Sequence, residues 1–172
     1  MITNIRKYDY GLIEAETASS KWGEPFHLMC TAEDQLPYAE KCRDYLDDLP
    51  AEMEKRLALY LNRYYTDCEQ DYDEEHAESE TVNEDNIFSH IRISSVIVDE
   101  ACRTDRIEFH VDGECDWEPE HGLEITISNG KILYVGPFEN YGPNSAGLKY
   151  ALEHWGWFSP DVFPIMNYAD EE

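Results

Sequence analysis

What this sequence has least of is positive charge. Only 13 Lys and Arg stand against 38 Asp and Glu in 172 residues, a formal net charge of −25. Direct nucleic-acid binding is not expected, because that mode needs a basic stripe to displace counterions from phosphate. Long apolar runs are also absent, none approaching the roughly 20 residues of a membrane-crossing helix. The N-terminus, Met1-Ile-Thr-Asn-Ile-Arg-Lys7, runs into Tyr8-Asp9-Tyr10 without the apolar stretch of a secretory leader. A cytoplasmic protein is therefore expected. Its five cysteines, Cys30, Cys42, Cys68, Cys102 and Cys115, are odd in number and not closely paired, which reads as reduced thiols and no disulfide framework. Missing too are Gly-x-Gly-x-x-Gly, Walker and Gly-x-Ser-x-Gly sequences, so nucleotide and hydrolase chemistry have no support.

What is present is enough to fold. With 42% apolar residues, four Trp, twelve Tyr and six Phe, the chain can bury a core of its own in one domain spanning 1–172. The charge is unevenly distributed. Residues 1–66 carry 12 Asp/Glu against 8 Lys/Arg, whereas residues 67–172 carry 26 against 5. Charge far from zero strains the compact state but accelerates encounter with an oppositely charged partner. A basic protein partner is the first functional expectation.

Along the chain, Tyr8/Tyr10/Leu12 and Phe26/Leu28/Cys30 alternate like the two strands of an N-terminal β-ribbon. From Leu36 the period becomes helical, with Tyr38, Cys42, Tyr45, Leu46 and Leu49 on one face up to Pro50. A second helix starts at Pro50 or Ala51 and stripes Met53, Leu57, Tyr60, Leu61, Tyr64 and Cys68 toward the core. Asp67 to Asp85 holds ten Asp/Glu and no Lys or Arg, which reads as a helix end running into a solvated acidic loop; a second acidic segment is the tail at 168–172. Strands are expected at 91–98, 106–115, 123–128 and 131–135, the last two joined by Asn129-Gly130 in a type I′ turn. Asn144 or Ser145 can cap a final helix running through Trp155. The class is α+β: an antiparallel sheet with the ribbon, two central helices and one C-terminal helix on one face.

The densest cluster of reactive residue types is Cys115-Asp-Trp117-Glu118-Pro-Glu120-His121-Gly122-Leu123. A thiol beside an imidazole invites a small thiol or metal-dependent enzyme centred on Cys115 and His121. Yet no glycine-rich loop or helix start supplies oxyanion donors there, and His110, Cys115 and His121 match no short zinc spacing. Asp71-Tyr-Asp73-Glu-Glu75-His76 begins like a calcium loop but has His76 where that loop needs glycine. No cofactor, metal or catalytic residue is assigned. The structural reading is that Cys115 ends the inward series Ile107, Phe109, Val111, that Trp117 extends it, that Glu120 bonds backbone amides or His121 in the turn, and that Gly122 opens the next strand.

Cys115 through Val135 resembles a bacterial family catalogued as a domain of unknown function, with a Cys-x-Trp-x-x-Glu-His-Gly-Leu motif, a short hairpin and Val-Gly. The residues that carry the likeness are Cys115, Trp117, Glu118, Glu120, His121, Gly122, Leu123, Asn129, Gly130, Val135 and Gly136. The resemblance implies an immunity protein, the antidote of a polymorphic or contact-dependent toxin, and so inhibition in place of catalysis. Together with the charge, this leads to the expectation of a binder that occludes the basic cleft of a toxin domain, plausibly a nuclease. The expected contact residues are Asp71, Asp73, Glu74, Glu75, Asp112, Glu114, Asp116 and Glu118. The alternatives are the small enzyme and a housekeeping regulatory module.

Overall fold

The computed structural model describes residues 2–69, 82–100 and 102–153. Seven strands form one sheet in the order of the chain: β1 Thr3–Lys7, β2 Ile13–Ser19, β3 Gly23–Cys30, β4 Ile91–Val98, β5 Glu108–Cys115, β6 Leu123–Ser128 and β7 Lys131–Gly136. Every neighbouring pair is antiparallel except β3 and β4, which run parallel. A parallel pair needs a crossover, and here it contains α1, Leu36–Asp47, and α2, Ala51–Glu69. The α+β class holds, and the parallel seam joins two antiparallel meanders. The ribbon expected at the N-terminus pairs β2 with β3, Ala15 opposite Leu28, while Tyr8 to Leu12 form the turn before it.

Alternation along the strands sorts side chains onto two faces. One face presents Ala15, Phe26, Leu28, Cys30, Val96, Val98, Phe109, Val111, Leu123, Ile125 and Ile127, all buried. Against it pack α1 and α2 through Leu46, Leu57, Leu61 and Tyr64. Pro37 sits in the first turn of α1, where its missing N–H has no intrahelical partner to lose. Arg43 is buried on α1; it bonds Thr17 and the Ala18 carbonyl and pairs with Asp44. Tyr38 pins α1 to β5: its Oη accepts the Glu108 N–H at 2.8 Å and donates to the Arg106 carbonyl at 2.7 Å.

The second face carries Ser95, Glu108, His110, Asp112, Glu124 and Thr126 in register. Over its β5–β7 part runs the segment after β7, which leads into α3, Ala146–Glu153. Thr126 Oγ1 donates to the Tyr141 carbonyl at 2.7 Å, and Asn144 donates to Glu108 at 2.9 Å. The Ser145 hydroxyl caps α3 by accepting the Leu148 N–H at 3.0 Å. The strap that delivers α3 thus crosses the face opposite α1 and α2, so the shared helical face holds for those two helices. Asn129 and Gly130 adopt φ of +50° and +78°, as a type I′ turn requires. Residues 70–81, most of the acidic stretch, and the tail at 168–172 lie outside the described residues, as does the helix expected beyond Glu153.

Candidate protein-docking face

Strand β5 is the clearest example of period two in the molecule. Phe109, Val111, Gly113 and Cys115 point into the helix-covered core, and Glu108, His110, Asp112 and Glu114 point to the second face. The bond from Asp116 N–H to the His90 carbonyl, 3.1 Å, extends the ladder by one residue. Along this second face burial falls steadily. Glu108 and His110 have 0% side-chain exposure beneath the strap, Asp112 is half-buried, and Glu114 and Asp116 reach 77% and 74%. The result is an acidic stripe that emerges from under the 137–145 segment onto an open surface.

The buried end of the stripe is a polar network. His110 Nδ1 lies 2.6 Å from Glu124 Oε1, and Asp99 Oδ2 lies 3.5 Å from Nε2, an ion pair too long for a good hydrogen bond. Burial works against a charged imidazole, but the carboxylates of Asp99 and Glu124 outweigh it and hold the His110 pKa up at about 9. Phe138 stacks on the ring at 6.4 Å. Glu124 also accepts the N–H groups of Glu139 and Tyr141, at 2.8 and 2.7 Å, so one buried carboxylate holds the strap down. Glu108 is satisfied by the Arg103 N–H, Ser128, Asn144 and Arg106, which outweigh its burial and lower its pKa.

At the open end, Glu114 pairs with Arg92 across to β4 at 3.6 Å, and Asp116 with His90 at 3.0 Å. An open cleft of about 510 Å³ lies here, with Glu114, Asp116, Glu118, His90 and Arg92 among its walls. The turn that follows is held by Glu118, not by Glu120 as expected: its Oε1 accepts from the N–H groups of Glu120 and His121, each at 3.3 Å, and lies 3.2 Å from His121 Nδ1. Position explains the difference, since Glu118 sits at the turn's start and its carboxylate reaches forward to the amides of Glu120 and His121. Glu120 is exposed. Glu118 is therefore committed to the turn, whereas Glu114 and Asp116 remain on the surface. Gly122, at φ +66°, leaves no room for a Cβ, which would lie 2.6 Å from the Gly113 carbonyl oxygen.

The same turn meets the end of α2. Tyr64 Oη donates to the Gly122 carbonyl at 3.1 Å, and the rings of Tyr64 and Tyr65 each lie 5.8 Å from Trp117, edge-on. Glu69, where α2 ends, and the 3₁₀ turn Ile87–His90, which joins Asp116 through His90, bracket residues 70–81. The C-terminal part of α2, the Ile87–His90 turn and the 116–122 turn therefore meet at one end of the sheet. Asp71, Asp73, Glu74 and Glu75 lie outside the described residues.

Cys115 is buried, and its thiol donates weakly to the Glu118 and Gly122 carbonyls; burial pushes its pKa up to about 12. A thiol so protonated lacks nucleophilic character, while His121 is exposed and held by Glu118. Trp117 extends the core as expected, 5% exposed. Among the described residues no group of three or more His, Cys, Asp or Glu is placed to hold a metal ion. None of their helices is long and apolar enough to cross a membrane.

Fold and site together define a single-sheet α+β protein whose second face is half covered by its own strap and half open as an acidic surface. The chain belongs to the family described as Domain of unknown function (DUF6985), which matches residues 2–142 and so includes every strand and both central helices. No curated protein and no solved structure matches it significantly.

Proposed function

We propose that this protein is an immunity protein, an antidote that binds a basic toxin domain, plausibly a nuclease, and blocks its active cleft. The observation that carries the reading is the pair of carboxylates Glu114 and Asp116, 77% and 74% exposed, on the wall of the open cleft at the end of β5. A nuclease cleft is positive because it must hold phosphate, and carboxylates on a rigid strand can occupy that field in the substrate's place. Charge pairing of this kind raises association rates to around 10⁸ M⁻¹s⁻¹ or more at low salt. Screening over about 8 Å at physiological ionic strength reduces the effect. Glu114 and Asp116 suit the task because their partners are an exposed Arg and a His, and such surface pairs exchange readily. The family resemblance noted for residues 115–135 points the same way.

The test is to co-express the chain with the product of its neighbouring gene, isolate the complex, and measure association as sodium chloride is raised. A complex whose on-rate falls steeply with salt supports the reading. Absence of a complex, or an on-rate indifferent to salt, removes it.

A further inference from the structure

The open half of the second face has a spacing as well as a charge. Asp112 and Glu114 are alternate residues of β5 on one face, and Asp116, in the turn just beyond, follows them with its N–H on the His90 carbonyl. The Cα atoms of Asp112 and Glu114 therefore lie about 6.8 Å apart, two residues of strand rise. An extended partner segment with cationic side chains at alternate positions has the same repeat.

A second observation lies at the inner end of this row. Ser95 on β4 stands directly opposite Asp112 and on the same face. It is 3% exposed, and its Oγ has no hydrogen-bond partner. A buried hydroxyl left unpaired is destabilising, and a donor arriving beside Asp112 would offset that cost. Asp112 itself is half-buried, and its pKa is raised by burial and then by the neighbouring Glu124, although His110 opposes this. On β3 His27 stands opposite Ser95, and Met29 and Ile97, two residues along on the same face, add apolar side chains beside it.

We propose that the edge of the strap is a seat for an arginine-bearing extended segment of the protein partner: one guanidinium on Asp112 and Ser95, and the next alternate cations on Glu114 and Asp116. Arginine suits the inner position better than lysine. Its planar guanidinium is weakly hydrated, presents several donors at once and can lie against apolar surface, whereas an ammonium gives up more hydration to enter. Arg92 and His90, which now pair with Glu114 and Asp116, are displaced outward. Both pairs bridge exposed carboxylates, so little stability is lost. This assignment rests on the basic-partner reading above and specifies how that partner is read.

The test needs no toxin. The full chain, ¹⁵N-labelled, is titrated with acetylated, amidated Arg-Gly-Arg-Gly-Arg, with its isomer Arg-Arg-Arg-Gly-Gly, and with Lys-Gly-Lys-Gly-Lys. The alternating arginine peptide is expected to bind at least about fivefold tighter than the block isomer of equal charge. Its shifts should centre on the amides of Ser95, Asp112 and Glu114. Asp112→Asn should abolish the preference, and Asp105→Asn, which removes a carboxylate elsewhere that pairs with Arg103, should leave it intact. Circular dichroism of both variants checks that the fold survives. Equal affinities for the isomers, or an Asp112→Asn protein that still discriminates, overturns the seat. If that happens while the co-expressed partner still binds with a salt-dependent on-rate, the antidote reading stands and only the seat fails.

Discussion

Gly122 is the residue on which the acidic turn most depends. It combines a left-handed φ of +66° with a Cβ position 2.6 Å from the Gly113 carbonyl oxygen. Backbone cannot yield as a flexible side chain can, so Gly122→Ala meets conformational strain and a clash together. The expected cost is about 2 kcal/mol or more, read as a lowered urea midpoint with unchanged slope. Gly130, also left-handed but open to solvent apart from Tyr45 Oη at 4.0 Å, should cost less on the same change. The sequence motif at 115–123 made Gly122 stand out, and Cys115 and Trp117 went inward as their parity required. Glu118 took the turn bonds expected of Glu120 because a turn's geometry, not its composition, decides which carboxylate reaches the free amides.

At the scale of elements, the strands and helices were legible because each carries a strong period. β4, β6, α1 and α2 fall within a residue or two of where alternation and helical spacing put them. What could not be read was the covering of the second face. Leu123-Glu-Ile-Thr-Ile-Ser128 alternates cleanly, which for a sheet with one wet face puts Glu124 and Thr126 in water. The strap makes that face an interior as well, and burial turns Glu124 from a solubilising residue into the anchor of the 137–142 backbone. The Gly142-Pro143 turn was the available hint that the chain doubles back. His110 has its pKa raised in the fold, so it contributes full stability below its ordinary value of about 6.5 and loses it as pH rises toward about 9. Its loss is on the order of 3 kcal/mol. The difference in unfolding free energy between the parent protein and His110→Gln should shrink between pH 6 and pH 10. A constant difference would mean that His110 is neutral throughout. Glu124→Ala leaves an imidazolium buried without its closest partner and should cost about 3–5 kcal/mol.

At the scale of the whole molecule, a net charge of −25 opposes compactness. The positive charges among the described residues are mostly engaged in local pairs, such as Lys7 with Glu33, Lys21 with Glu54 and Arg103 with Asp105. The remaining repulsion is long-range and screened by salt. The melting temperature should therefore rise between 20 mM and 500 mM sodium chloride by several degrees, since about 1 kcal/mol shifts it by roughly 2–8 °C in domains of this size range. A fall with salt would show that the surface pairs matter more than the repulsion. Composition disclosed this excess at once, yet only the fold brings α2 against the turn after β5, far apart in sequence, where Tyr64 and Tyr65 meet Trp117.

The parallel seam between β3 and β4 also bears on the order in which the chain acquires its shape. β1–β3 and β4–β7 are each made of neighbouring hairpins, which close over short loops, whereas the seam must wait for the whole crossover of residues 31–90. A nascent chain that has not yet emerged as far as Ile91 therefore displays the unpaired hydrogen-bonding edge of β3. That is the moment at which the polypeptide is most exposed to self-association, and a fragment ending before β4 should precipitate where the longer chain does not.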